Sequence, residues 1–162
     1  MKRLIVFFLA VAVGTQAFAG FVDLFNGVKV GTQVPQHSFE YLSGTHPESG
    51  KALLIDFWET TCEACITSIP RLNEQHAKFS PKGLVVIGVS AESKEVVAPI
   101  LKRVAMKYAV AVEGTPSLHK ALGIRALPYA ILVDAKGTIV WRGQPSEITD
   151  ELLANLVAKS GG

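Results

Sequence analysis

The chain has 162 residues, 16 of them basic and 14 acidic, and only two cysteines. That length suits one domain with a full core. The near-even charge excludes the basic stripe of a nucleic-acid binder and the polybasic patch of a membrane-surface protein.

The N-terminus reads as a targeting segment. Lys2-Arg3 form a positive n-region, Leu4 to Val13 an apolar run, and Ala17-Phe18-Ala19 a small-x-small cleavage site. Residues 1–19 are therefore expected to be a signal peptide, and residues 20–162 a single domain. The apolar run is shorter than the ~20 residues of a membrane span. An uncleaved membrane anchor is the alternative. Losing Lys2 and Arg3 brings the 16 basic residues level with the 14 acidic ones. Partners are then recognised by shape and by exposed cysteines rather than by gross charge.

Val34-Pro35 and the alternating Ser38–Leu42 read as an edge strand or half of a small hairpin, closed by turn signals at Ser43-Gly44, Pro47 and Ser49-Gly50. Ala52 to Trp58 is a continuous apolar run, expected as a strand buried on both faces. From Cys62 to Phe79, Ile66, Ile69, Leu72, His76 and Phe79 recur at spacings of three and four, which predicts a helix kinked at Pro70. Leu84–Val89 predicts a second buried strand. Ser93 is expected to cap a helix to about Tyr108, with Val96, Val97, Ile100, Leu101 and Val104 facing inward.

Ala109–Val112 reads as a short edge strand, and Thr115 as the cap of a short helix with Pro116 first and Gly123 last. Leu127–Asp134 is a strand with a proline near its start. Asp134-Ala135-Lys136-Gly137 is a hairpin turn, and Thr138–Trp141 the returning strand. Ser146 or Thr149 starts a last helix with Ile148, Leu152 and Leu156 facing in. The order β-α-β-α-β-α-β-β-α predicts an α/β fold: a mixed central sheet with helices on both faces and an N-terminal β extension.

Cys62 and Cys65 stand three positions apart where a helix begins, so both sulfurs lie on one side within bonding reach. Cys62 faces unpaired helix N–H groups and the positive end of the macrodipole, which favours thiolate. A disulfide closing so small a ring removes little unfolded-state entropy and makes a poor staple. Chemistry explains the pair better than stability does. A static local disulfide and a metal site are the competing readings. A structural zinc site needs four ligands, and His37, His46, His76 and His119 match no finger spacing.

Phe57-Trp58-x-x-x-Cys62-x-x-Cys65, Pro70, Leu127-Pro128 and Asp134-x-x-Gly137 together resemble the thioredoxin superfamily. With the export signal and the Val34-Pro35…Phe39 segment, the chain is most similar to the extracytoplasmic TlpA/ResA-type thiol–disulfide oxidoreductases, over about residues 31–159. The resemblance implies a thioredoxin fold with no cofactor and no metal. It implies Cys62 as the exposed nucleophile, Cys65 as the buried resolving thiol and Pro128 as a cis-proline shaping a docking groove. Leu127 would touch the bound peptide, and Trp58 would serve as groove wall and core filler.

Asp56 occupies the place of thioredoxin's buried acid and is the expected proton acceptor for Cys65. The TlpA/ResA branch carries a glutamate three residues after the second cysteine, where this chain has Ser68. The usual proline before that cysteine is Ala64. Glu63 puts negative charge beside Cys62, which disfavours thiolate and makes the dithiol more reducing.

The resemblance implies a monomeric periplasmic enzyme that acts on disulfide-bearing exported proteins and is recharged by a membrane thiol reductant. Cytochrome c biogenesis is one setting it suggests. A dithiol oxidase, a redox-inactive binding module and a copper chaperone are the alternatives. A thiol peroxidase of this fold needs an upstream proline and threonine, of which only Thr60-Thr61 is present.

Overall fold

The computed structural model describes residues 28–44, 46–115 and 117–160. The expected signal peptide and Pro116 lie outside the described residues. The elements are β1 (Phe39–Ser43), β2 (Ala52–Phe57), α1 (Glu63–Phe79), β3 (Leu84–Ser90), α2 (Lys94–Leu101), β4 (Ala109–Glu113), α3 (Leu118–Leu122), β5 (Tyr129–Val133), β6 (Ile139–Gly143) and α4 (Asp150–Ser160). No helix among the described residues is long and apolar enough to cross a membrane.

One six-stranded sheet runs β1-β4-β3-β2-β5-β6. β2, β3 and β4 are parallel, as the α1 and α2 crossovers require. β5 and β6 add antiparallel on one side, and β1 adds antiparallel on the other. Leu54, Leu84, Val86 and Leu132 project from one face onto Leu72 and Phe79 of α1 and Leu153, Leu156 and Val157 of α4. Ile55, Phe57, Ile87, Val89 and Ile131 project from the other face onto Leu118 and Leu122 of α3. The buried runs in β2 and β3 thus have helices above and below.

Ahead of β1, the chain is tied to the far edge of the sheet. The Gly31 amide donates to the Ile139 carbonyl at 2.8 Å, and the Val34 amide to the Gly137 carbonyl at 2.9 Å. The Arg142 guanidinium donates to the Val28 carbonyl. The hairpin turn has Gly137 at φ 81°, the left-handed region that glycine enters without penalty.

Several expectations need correction. β4 is an interior strand, because β1 pairs along it from Phe39–Glu113 to Tyr41–Ala111 and takes the edge. The second helix stops at Leu101 rather than near Tyr108. It buries a single stripe centred on Val97, and it leaves Val96 48% exposed instead of facing inward. Ser93 holds the N-cap position of α2 without a side-chain hydrogen bond to the helix backbone.

The N-cap of α3 is Ser117, not Thr115, because the Ser117 hydroxyl accepts from the Lys120 amide. Of the two candidate starts for α4, Thr149 is the one whose hydroxyl accepts from the Leu152 amide, at 3.2 Å. Pro70 lies inside α1 without ending it. Its missing N–H leaves the Ile66 carbonyl without a helical donor.

Candidate active site

β2 ends under the start of α1, and the site is built at that junction. The Trp58 amide still donates to the Val89 carbonyl at 3.1 Å, after which the chain leaves the sheet. A three-residue loop, Glu59-Thr60-Thr61, turns it into α1, and the Cys62 amide donates back to the Glu59 carbonyl at 3.1 Å. Cys62 is the N-cap of α1, with extended backbone angles, and its sulfur accepts from the Cys65 amide at 3.2 Å.

Cys62 and Cys65 are joined by a disulfide, with their Cα atoms 5.2 Å apart. Cys62 is half-buried and Cys65 is 1% exposed. The pair therefore presents one sulfur to solvent and holds the other in the core. Glu63 and Ala64, between them, are both exposed on the first turn.

The Leu127–Pro128 bond is cis. Leu127 packs against the same buried cluster as Cys62, which contains Trp58, Cys65, Val97, Val110 and Val112. The structure so brings Trp58, Cys62, Cys65 and Leu127 together, although Leu127 and Cys62 are far apart in the sequence. Trp58 is fully buried. That burial matches the core-filling part of its expected role.

Residues 31–142 match the AhpC/TSA family. The chain belongs to the AhpC/TSA family. Its curated relatives include thiol-disulfide oxidoreductases ResA from two Bacillus species. The protein from Bacillus cereus is 25% identical over 156 residues, covering 93% of this chain and 90% of that one. The protein from Bacillus thuringiensis is 27% identical over 144 residues, covering 86% and 83%.

Among solved structures, the thioredoxin domain of a thiol-disulfide oxidoreductase from Bacteroides vulgatus superposes with a TM-score of 0.66. It is 25% identical, over 82% of this chain and 97% of that one. A thiol:disulfide interchange protein from Bacteroides sp. superposes with a TM-score of 0.64 at 23% identity, over 83% and 92%. The fold is thioredoxin-like, and this AhpC/TSA member is a thiol–disulfide oxidoreductase with its Cys62–Cys65 pair in the disulfide state.

Asp56 lies on β2, two residues before Trp58. It is fully buried, and neither carboxylate oxygen has a hydrogen-bond partner. Burial alone pushes its pKa well above the ordinary carboxylate value, since the low-dielectric surroundings penalise the anion. A carboxyl that resists ionisation is suited to taking up and handing on a proton.

Glu92 has no role legible in the sequence, yet its carboxylate clamps the loop ahead of Cys62. Its Oε2 accepts from the Thr60 amide at 2.7 Å and from the Ser90 hydroxyl at 3.1 Å, and its Oε1 accepts from the Thr60 hydroxyl at 2.8 Å. Glu92 lies 32 residues from Thr60, so no local pattern announces the contact.

Two outcomes are expected. Glu92→Ala leaves two donors on Thr60 without their acceptor and is expected to lower the unfolding free energy by about 1–3 kcal/mol in urea melts. Glu92→Gln keeps one acceptor and should lose less. Asp56 holds in the folded state a proton that the unfolded chain releases above the ordinary aspartate value of 3.8. Its contribution is thus full below that value and is lost as pH rises through the higher folded pKa. Asp56→Asn, which cannot ionise, is expected to flatten this fall in a series of melts across pH and to be more stable than wild type at neutral pH.

Proposed function

We propose that the protein is exported to the periplasm, with residues 1–19 as its cleaved signal, and there reduces disulfides of other exported proteins. The observation that carries this reading is the asymmetry of the pair. Cys62 is accessible at the N-terminus of α1, while Cys65 is buried beside Trp58 in the core. In the reduced state, the helix N–H groups and macrodipole stabilise a Cys62 thiolate.

The Cys62 thiolate attacks one sulfur of a substrate disulfide. That S–S bond breaks, and the second substrate sulfur leaves as a thiolate that takes a proton from solvent. Cys65 then passes its thiol proton to the Asp56 carboxylate, and its sulfur attacks Cys62. The mixed disulfide breaks, the substrate sulfur that was bound to Cys62 leaves as a thiolate that takes a proton from solvent, and the protein is left with the Cys62–Cys65 disulfide. A dithiol donor, in this reading a membrane thiol reductant, returns two electrons to the pair.

The substrate strand is taken to dock along the cis Leu127–Pro128 segment, which packs on the cluster holding both cysteines. Glu63, exposed in the first turn, adds negative charge beside Cys62 and opposes thiolate, which supports a reducing couple. Precursors of c-type cytochromes are one substrate class this reading accommodates.

Cys65→Ser is expected to accumulate a mixed disulfide between Cys62 and substrate proteins in non-reducing gels of periplasmic extract. Cys62→Ser is expected to trap none and to abolish disulfide reduction. Equal trapping by both variants, or reductase activity retained by Cys62→Ser, would overturn the assignment of the two sulfurs.

A further inference from the structure

Five of the seven buried side-chain polar atoms without a hydrogen-bond partner among the described residues lie in one region. They are both Asp56 oxygens, Trp58 Nε1, the Tyr108 hydroxyl and His76 Nδ1. Buried polar atoms in native proteins find partners, and where side chains supply none, ordered solvent does so.

The backbone explains why they gather there. Gly88 of β3 pairs with Asp56 of β2. A Cβ at Gly88 would stand 3.2 Å from Tyr108 Cε2 and 3.3 Å from Trp58 Nε1. The bare glycine thus lets both rings stand over the strand beside Asp56. His76, on α1, faces the Tyr108 ring with centroids 6.3 Å apart. His76 and Tyr108 also line a surface cleft of about 400 Å³ with Ser43, Gly44, Met106 and Lys107.

The way out past the disulfide is blocked by apolar packing, with Trp58 fully buried and Cys65 1% exposed. His76 lies about 20 Å further along α1 than Cys62. We propose that Tyr108 and His76 form a hydrated proton route that joins Asp56 to solvent through this cleft, on the flank of the sheet away from Cys62. The proposal rests on Asp56 as the acceptor of the Cys65 proton.

For each proton that Asp56 takes from Cys65, one leaves at the cleft. The Tyr108 hydroxyl accepts one proton as it gives up another, and it ends as it began. Burial keeps Tyr108 protonated far above neutral pH, reinforced by the Asp56 charge, so it can donate toward the carboxylate. Burial lowers the His76 pKa, so the neutral ring can accept a proton near neutral pH.

The titratable groups facing this region are Asp56 from β2, His76 and Cys65 from α1, and Lys107 and Tyr108 from the segment before β4. β3 contributes Val85, Val86 and Gly88, none of them titratable.

The test is the rate at which Cys65 resolves a preformed mixed disulfide, followed across pH by stopped flow. The wild-type rate is expected to rise along a limb set by Asp56, and Asp56→Asn to remove that limb. Tyr108→Phe keeps the ring but loses the donor that favours the carboxylate. It is expected to move the limb up by about one pH unit, roughly a tenfold slowing below it. In the Asp56→Asn background, Tyr108→Phe is expected to add nothing. His76→Phe is expected to slow resolution in the same pH range.

An unmoved limb in Tyr108→Phe, or an equal effect of that change with Asp56 absent, overturns the route while leaving Asp56 as acceptor. An unchanged rate in His76→Phe overturns the exit past His76. If Asp56→Asn keeps the wild-type limb, Asp56 is not the acceptor, and both readings fall.

Discussion

In α1 the N-cap is a sulfur. Cys62 Sγ accepts the Cys65 amide in the place where a serine or aspartate oxygen stands in most helices. The same atom forms the bond to the buried cysteine one turn on. Helix capping, thiolate stabilisation and disulfide geometry are therefore a single local arrangement. It needs the helix to start at one residue and no other. That start is fixed by the parallel core, since β2 delivers the chain beside β3, and the last sheet-type bond falls at Trp58. From there the loop is short, and Glu92, two residues past β3, pins it through both donors of Thr60.

The interior beneath this junction departs from a simple apolar core. Most of the sheet is packed with aliphatic side chains on both faces. Around Asp56 the pattern changes to a glycine, a tyrosine hydroxyl, an indole nitrogen and a histidine. A buried carboxyl with no protein partner is a liability to stability, because its charged form is disfavoured there and its neutral form still lacks hydrogen bonds. A strongly perturbed buried carboxyl of this kind is a candidate for a functional role, which is the one proposed for it above. The absence of a glutamate at Ser68 is consistent with this, because Ser68 only bonds back to the Cys65 carbonyl.

Much of the fold was legible in the sequence where burial imposes a continuous or periodic pattern. The runs of β2 and β3, the long stripe of α1 and the Asp134–Gly137 turn are set by local chemistry, and they appear where that chemistry puts them. The misses depend on partners distant in sequence. Ala109–Glu113 looks like an edge until β1 pairs with it, and Val96 looks inward until α2 ends after two turns.

At the site, the cysteines, Asp56 and the Leu127–Pro128 step were readable as motifs. The contacts of Glu92, and those of Tyr108 and His76 in the proposed route, were not, because each gains its position only when β3, the segment before β4 and α1 converge. The one available signal was Gly88, a glycine inside a β-branched strand, which marks a close approach of bulky neighbours.

The central claim, that this exposed-and-buried cysteine pair cycles as a reductant, is tested most directly by the reduction potential of the Cys62–Cys65 couple in a glutathione redox buffer. The account predicts a value near that of thioredoxin, roughly −270 mV. A value near about −120 mV, that of a strong dithiol oxidant, would contradict the direction of electron flow, and no measurable couple would contradict the chemistry itself.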